Sequence, residues 1–395
     1  MDKPYYPCDS IGSVEVLAKT LGLHPKHLIS IADKAEESYT TFLLPPNKKT
    51  GKEREVREAK FELKRIQKRI NSRIFEHVIF PEYLQGGLKA TLVQGRDYVE
   101  NASIHSRCHT LINLDVRNFY PNIKSSSVRD VFKQFFRFSD EVVDLLVKLT
   151  TYRGSIPQGG CTSSYLANLV FFNNEYHLVS KLRGQGLTYS RLLDDITISS
   201  VKRLTKDTST EVIKLVAAML KKQNLRLNGK KTSVSFRNDL SAKFEVTGLW
   251  IKHKQPKIRK QERRYVRQLV YNCELKSNQD KTSDEYHKLW NKTSGLVTKL
   301  ERLEHSQARS YRQRLSVILP EYSPMQSNRL LRKVSVALRV PVSQHQKLGV
   351  VKRYNQIQYQ LGILSRTQRN VARKARKALV AHYSTIPTKF EVWER

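Results

Sequence analysis

Along the opening of the chain the apolar positions fall at helical spacing. Val14, Leu17, Leu21 and Leu23 are followed by Leu28, Ile29 and Ile31, which predicts short helices through an N-terminal segment ending at about Leu44. From Lys60 a longer stripe of Leu63, Ile66, Ile70, Ile74 and Val78 predicts an amphipathic helix whose other positions carry Lys64, Arg65, Lys68, Arg69 and Arg73. The period then changes. Ile112, Leu114 and Val116 alternate with Leu111, Asn113 and Asp115, a strand that holds Asp115 at its end, on the face opposite the Ile/Leu/Val series. Helical spacing returns from Ser127 to about Leu149 and from about Tyr165 to Leu182. Tyr189 to Ser199 is apolar and β-branched except at Asp194 and Asp195, which predicts a strand–turn–strand with both acids at its tip. Val212, Leu215, Val216, Met219 and Leu220 then mark a helix capped near Ser209 or Thr210. Strands follow at Ser233–Phe236 and Phe244–Ile251, the second with Gly248 as a point of close backbone approach. From Lys257 onward the pattern is helical. The order of elements predicts an α+β fold, with segments at 1–44, 45–110, 111–256, 257–320 and 321–395.

Charge adds a partner to this picture. The chain of 395 residues has 71 Lys+Arg against 36 Asp+Glu, a formal net charge of +35. A folded protein so basic repels itself until a polyanion neutralises it, and nucleic acid is the commonest such polyanion. Anionic membrane is the competing surface, but no apolar run reaches the roughly 18 residues of a spanning helix. The Met1-Asp2-Lys3-Pro4 start lacks a signal-peptide layout, and no lipidation signal is evident. Cys8, Cys108, Cys161 and Cys273 form no CxxC pair, which fits a reduced, cytoplasmic chain without structural zinc.

The candidate chemistry lies in the acids. An Asp-Asp pair alone reads more readily as a solvated turn, because Asp tolerates turn geometry. Asp115 at the end of a second strand changes that, since two acid-bearing strands can share hard divalent cations through carboxylate oxygens. Around them lie the basic turn Pro45–Lys52 leading into Glu53-Arg54-Glu55-Val56-Arg57, the aromatic pair Phe119-Tyr120, and the loop Gly154 to Ser164 with Pro157, Gln158 and Gly159. Glycines, an amide and hydroxyls at a helix start can cradle a base, ribose or phosphate, or serve as an ordinary capped loop. Asn101 and His105, taken singly, read as satisfied polar groups in a loop.

The ordered set resembles a reverse transcriptase, and more narrowly a bacterial retron reverse transcriptase, over about Lys48 to Ile251. Leu114-Asp115-Val116-Arg-Asn-Phe-Tyr120-Pro is similar to the first catalytic block, and Ile156-Pro157-Gln158-Gly159 with Ser163-Ser164 to the next. Leu192-Leu193-Asp194-Asp195 stands where the family has Tyr-x-Asp-Asp, followed by Asn228 with Lys231-Thr232 and by Val246-Thr247-Gly248. Asn101-Ala102-x-x-His105 and Val246-Thr247-Gly248 resemble the blocks of the retron branch.

The resemblance implies a right-hand polymerase fold: fingers at 45–110, palm at 111–256, helical thumb at 257–320 and a basic C-terminal extension at 321–395. It implies two Mg2+ ions held by Asp115, Asp194 and the Val116 carbonyl, with Asp195 supporting the cluster. Arg54, Tyr120, Gln158 and Lys231 would meet the incoming dNTP, Tyr120 as the gate against a ribose 2′-OH and Lys231 as proton donor to pyrophosphate. Asn101, His105, Val246, Thr247 and Gly248 would recognise a dedicated noncoding RNA. That RNA would be copied into a branched RNA–DNA product (msDNA), in anti-phage defence with a separate effector protein and no membrane partner. The departure is Leu192 in place of Tyr, which bears on primer placement. A group II intron-type or other defence-associated reverse transcriptase is the neighbouring reading, and an inactive RNA-binding scaffold the reading from another class.

Overall fold

The stripe of Leu63, Ile66, Ile70 and Ile74 is wholly buried, and the helix carrying it anchors the core of the N-terminal half. The computed structural model describes residues 2–46, 51, 53–90, 95–239 and 241–394. Lys48, Lys49, Thr50 and Lys52 of the basic turn, and Val93, lie outside the described residues. The chain divides into two compact units, Met1–Lys257 and Ile258–Arg395.

In the first unit, α1 (Val14–Leu21) is capped by Ser13 and ended by left-handed Gly22, and α2 (Pro25–Asp33) begins on its proline. The helices do not continue to Leu44. After one 3₁₀ turn the chain becomes β1 (Tyr39–Leu44), paired antiparallel with β2 (Arg54–Ala59). The aromatic and β-branched run Tyr-Thr-Thr-Phe favours a strand. Its exposed Phe42, Leu43 and Leu44 imitate a helical core stripe in sequence, as does Ile29, which is exposed on α2.

The cations of α3 (Phe61–Arg73) do not all face solvent. Arg69 is buried and donates from Nη1 to the carbonyls of Leu21 (2.9 Å) and Gly22 (3.0 Å), while Arg73 donates to Thr20 O at 2.9 Å. These carbonyls terminate α1, where cationic donors are favoured.

Next come α4 (Tyr98–Ile104), β3 (Thr110–Asp115), α5 (Phe119–Asn122), α6 (Ser125–Asp130) and α7 (Asp140–Thr150). The helix expected from Ser127 to Leu149 is therefore interrupted, by a π-turn at Val131–Phe135 and by Arg137 at φ 61°. The one expected from Tyr165 to Leu182 is likewise two, α8 (Ser163–Leu169) and α9 (Glu175–Gly184). Then follow β4 (Leu187–Leu192), β5 (Asp195–Ser200), α10 (Lys206–Lys221) and β6 (Ser233–Phe236). The cap of α10 is Thr205, whose hydroxyl accepts from Thr208 N; Ser209 and Thr210 are inside the helix and donate back to carbonyls four residues earlier.

These strands make one antiparallel sheet in the order β4-β5-β3-β6. The last expected strand folds on itself as β7 (Glu245–Val246) and β8 (Leu249–Trp250), because Thr247 (φ 48°) and Gly248 (φ 81°) both take the left-handed conformation a two-residue hairpin turn requires. A Cβ on Gly248 would meet nothing within 4 Å. The glycine serves the turn rather than a close approach.

The second unit is helical: α11 (Lys260–Gln279), α12 (Asp284–Arg302), α13 (Ala308–Ser316), α14 (Pro324–Ala337), α15 (Leu348–Leu364) and α16 (Arg369–His382). Helices α14 to α16 close around their own core of Leu330, Val334, Ile357, Leu361, Leu364 and Leu379. Among the described residues no helix is long and apolar enough to cross a membrane.

Candidate active site

Strand register brings the three acids together. Asp115 on β3 pairs with Asp195 on β5, and Asp195 also pairs with Leu192 on β4, so Leu193 and Asp194 form the two-residue turn between β4 and β5. Val116 N–H donates to Asp194 O at 2.9 Å, which stitches the tip to the end of β3. Leu193 holds φ 59°, a conformation that costs a side-chain-bearing residue about 1–3 kcal/mol.

Like charges opposite one another on paired strands repel, and the surroundings show how this is managed. Asp115 is buried; its Oδ2 lies 2.6 Å from Lys231 Nζ and its Oδ1 accepts from Asn228 Nδ2 at 3.0 Å. The hydrogen bond to Asp115 raises the Lys231 ammonium above its ordinary value. Asp194 is raised by burial first and then by the charge of Asp115, against its backbone hydrogen bond, Lys231 and Arg54. Asp195 reaches the surface, yet thinned hydration and the charges of Asp194 and Asp115 push it up to about 6.

Among the described residues no three acid, histidine or cysteine side chains are grouped, as they stand, so that they could hold a metal ion. The donor set nonetheless fits a hard divalent cation. It consists of carboxylate oxygens, two of them on acids raised by mutual crowding and the third satisfied by an ammonium that supplies the missing positive charge.

The other expected residues gather at different ranges. The Tyr120 hydroxyl lies 3.4 Å from Ser164 Oγ and is raised by burial first, against that hydrogen bond, and further by the Asp194 charge. Arg54, on β2, acts on Asp194 through its charge. Gln158 is held through its backbone, its carbonyl accepting from Arg57 N at 2.9 Å. Next to it Gly159 has φ 104°, and a Cβ there would stand 2.6 Å from Val56 Cγ1 and 3.0 Å from Arg57 O. Only glycine lets the loop lie this close to β2. Ser163 does not cap α8; its hydroxyl donates to Pro157 O at 2.7 Å. From α3, Asn71 donates to Cys161 O (2.9 Å) and Gln67 accepts from Cys161 N (3.3 Å), so the loop is clamped at both ends of one residue.

Asn101 and His105 are fully buried behind β4 and β5, and Val246 is buried too, so their side chains offer no surface to a nucleic acid. The proton assignment at His105 follows from its partners. Ser190 Oγ gives its only proton to Asn101 Oδ1 (2.6 Å) and so must accept from His105 Nε2 (2.7 Å), leaving Nδ1 to accept from Ser199 Oγ (2.7 Å). Burial keeps this ring neutral and pushes it down to about 3. His105 thus bridges the two strands of the hairpin that presents Asp194 and Asp195. The exposed part of this region is the β7–β8 turn. Thr247 Oγ1 donates to Tyr98 O at 2.9 Å, and Arg237 donates to the carbonyls of Ser106, Cys108 and Lys252, so the two blocks form one structural unit.

The residue that sequence reasoning passed over is Arg191. It is fully buried, paired with Glu175, and donates from Nη1 to Ala167 O and Leu193 O (both 3.3 Å) and from Nη2 to Asn168 O (3.1 Å). One guanidinium therefore ties the carbonyls at the end of α8 to the turn that presents Asp194. Its signal was a charge in the middle of an apolar strand.

Residues 46–287 match the family described as reverse transcriptase (RNA-dependent DNA polymerase). The Retron Se72 reverse transcriptase of Salmonella heidelberg is 42% identical over 384 residues, covering 96% of this chain and 99% of that protein. The Retron Ec48 reverse transcriptase of Escherichia coli is 31% identical over 381 residues, covering 93% and 91%. A solved telomerase from Candida albicans aligns at a TM-score of 0.33 and 11% identity, over 72% of this chain and 49% of that one, a likeness too slight to bear weight.

Proposed function

Because the chain belongs to the reverse transcriptases, in their retron branch, and is an RNA-directed DNA polymerase, we propose that it copies part of a dedicated noncoding RNA into a branched RNA–DNA product (msDNA). The observation that carries this reading is the meeting of Asp115, Asp194 and Asp195 at one sheet end, where charge repulsion calls for cations. Asp115, Asp194 and the Val116 carbonyl would hold two Mg2+ ions, with Asp195 supporting them. Bound there, the ions lower the pKa of the primer hydroxyl and stabilise the leaving pyrophosphate.

The protein's own groups do the rest. Tyr120, steadied by Ser164, closes the space a ribose 2′-OH would need. Gln158, on a loop locked by Gly159 and α3, meets the incoming nucleotide. Arg54 draws the triphosphate. Lys231, raised and held near Asp115, keeps a proton ready for pyrophosphate. In this reading residues 45–110 form the fingers, 111–256 the palm, 257–320 the thumb and 321–395 a basic extension. The exposed Thr247-Gly248 turn faces the RNA, while Asn101, His105 and Val246 hold that turn and the β4–β5 hairpin in place. The product serves anti-phage defence with a separate effector protein, in the cytoplasm.

The test is to purify the protein from its host and treat the bound nucleic acid separately with RNase and DNase, beside primer extension by the protein and by Asp194→Ala. A species with joined RNase- and DNase-sensitive parts, and extension lost in the variant, is expected. RNA alone, with no extension when dNTPs and Mg2+ are added, overturns the reading in favour of a scaffold.

A further inference from the structure

A short segment outside any helix or strand, Tyr83-Leu84-Gln85-Gly86-Gly87, runs along β4 and ends between the acid-bearing hairpin and α8. It is fixed from three sides. Arg191 N donates to Tyr83 O and Gln85 N to Arg191 O, both at 2.8 Å, which bridges Leu84 to β4. Arg96 donates from Nη1 to the carbonyls of Pro81 (3.0 Å) and Leu84. From α8 the buried amide of Asn168 donates to Gly86 O at 2.8 Å and to Ser164 O at 2.9 Å, so one side chain ties the segment to the start of that helix.

The two glycines that end this segment face different parts of the centre. A Cβ on Gly86 would lie 2.9 Å from Leu192 Cγ and 3.0 Å from both the Cα and the carbonyl carbon of Leu192, the residue that leads into the turn presenting Asp194. Gly87 has φ 69°, which itself favours glycine. A Cβ there would lie 2.6 Å from Ser164 Cβ and 3.1 Å from Ser164 Oγ, the atom beside the Tyr120 hydroxyl. It would also come within 3.2 Å of Leu193 Cδ2, a side-chain end that can turn aside. Ordinary contact begins at 3.4 Å. Retreat of the segment would break buried hydrogen bonds, and a close-packed interior passes a displacement on to the next group. An added methyl group therefore moves its neighbour, the hairpin backbone at Gly86 and Ser164 at Gly87.

We propose that Gly86 and Gly87 are positioning residues for the polymerase reaction, Gly86 seating the β4–β5 hairpin that presents the acids and Gly87 seating Ser164 beside the Tyr120 hydroxyl. This rests on the reading of the acids as the Mg2+ site and of Tyr120 as the gate against a ribose 2′-OH. Misplacing a reacting group by about 1 Å costs on the order of 100-fold in rate, so the few tenths of an ångström at issue here are measurable. The two glycines act on different properties. Gly86 governs the use of metal, and Gly87 the choice of sugar.

The experiment compares full-length wild type, Gly86→Ala, Gly87→Ala and Ser164→Ala in extending an annealed primer on an RNA template. It reads the Mg2+ concentration for half-maximal rate, the ratio of kcat/KM for a dNTP to that for the matching rNTP, and the melting temperature. Gly86→Ala should raise the Mg2+ requirement about threefold or more and change the sugar ratio less than about twofold. Gly87→Ala should lower the sugar ratio about fivefold or more, and Ser164→Ala should lower it in the same direction, each with the Mg2+ requirement within about twofold of wild type. A lower melting temperature with both readouts at wild-type values would make the glycines structural only and overturn the proposal. Equal movement of both readouts in both glycine variants would overturn the division of roles. Should a glycine variant not fold, Asn168→Ser frees Gly86 O without adding bulk and should move both readouts about twofold; readouts unmoved there overturn the proposal equally. Tyr120→Ala tests the underlying gate on its own. An unchanged sugar ratio in that variant beside a lowered one in Gly87→Ala refutes the gate reading and keeps Gly87 as a determinant of sugar choice, whereas an unchanged ratio in Gly87→Ala overturns its role whatever Tyr120→Ala shows.

Discussion

Arg191 and Glu175 form an ion pair sealed from solvent, Nε to Oε1 at 2.6 Å and Nη2 to Oε2 at 2.8 Å, with the guanidinium 5.0 Å over the Phe171 ring. Tyr189 OH donates to the same carboxylate at 2.7 Å. Removing one partner strands the other charge in the core, which costs about 3–5 kcal/mol. Arg191→Met should therefore lower the melting temperature by on the order of 10 °C. Arg191→Met/Glu175→Met should recover part of that loss in a double-mutant cycle, and additive losses would refute the coupling.

Lys231 competes with any cation for Asp115. Lys231→Ala removes both a competitor and a repelling charge, so Mn2+ binding to the metal-free protein, read by electron paramagnetic resonance, should tighten several-fold. Primer extension should nonetheless fall, because the pyrophosphate loses its proton source. Weaker Mn2+ binding would contradict the placement of Lys231 on Asp115.

Burial and then the charges of Asp194 and Asp115 push Asp195 up from its ordinary 3.8 to about 6 in the folded protein. The folded state then binds more protons than the unfolded state, so this group's contribution to stability is fully present below about pH 4 and is lost as pH rises through about 6. In EDTA, the melting-temperature difference between wild type and Asp195→Asn should change in that sense across pH 4 to 7. A flat difference would show that neither burial nor the neighbouring acids raise Asp195.

His105→Ala deletes two hydrogen bonds and opens a cavity between β4, β5 and α4, at a cost of about 2–4 kcal/mol. Its extension of a generic primer should fall along with its use of bound RNA, because the β4–β5 hairpin presenting Asp194 and Asp195 loosens. Thr247→Ala, at the surface turn, should spare the generic primer and weaken RNA use alone. Sparing of generic extension by His105→Ala would restore direct RNA recognition to this buried ring.

Gly159→Ala forces a methyl group against Val56 and Arg57 O. The Gln158 loop must lift from β2, and the KM for dNTP should rise with little change in melting temperature. An unchanged KM would detach Gln158 from the nucleotide.

Much of this centre is legible in sequence because a strand alternates. Period-two patterning put Asp115 at a strand end and Asp194–Asp195 at a hairpin, and the register of β3 with β5 completes the meeting. Other features depend on partners distant in the chain. Arg69 reads as a surface cation until the carbonyls of α1 are in place, and His105 reads as a loop histidine until Ser190 and Ser199 surround it. Arg191 sits in an apolar strand with its counter-charge sixteen residues away on α9, a distance at which no local pattern operates. Thr247 and Tyr98 are 149 positions apart, and only the folded chain shows that the two blocks are one structure. The short β7–β8 hairpin imitates a single strand because two strands of two residues leave too little alternation to read.

The bundle of α14–α16 carries lysines and arginines but no aspartate or glutamate on its helices, and this sets its response to salt. Folding draws its like charges together, while the unfolded chain spreads them, so added salt stabilises the bundle by screening. The same salt would weaken the attraction of any polyanion to it by favouring released counterions. Ionic strength thus acts in opposite directions on folding and on binding, and the conditions for both are bounded at each end. A polyanion bound there would escape the conflict, since it would neutralise the bundle as it occupied it and so act as a folding ligand for this part of the chain.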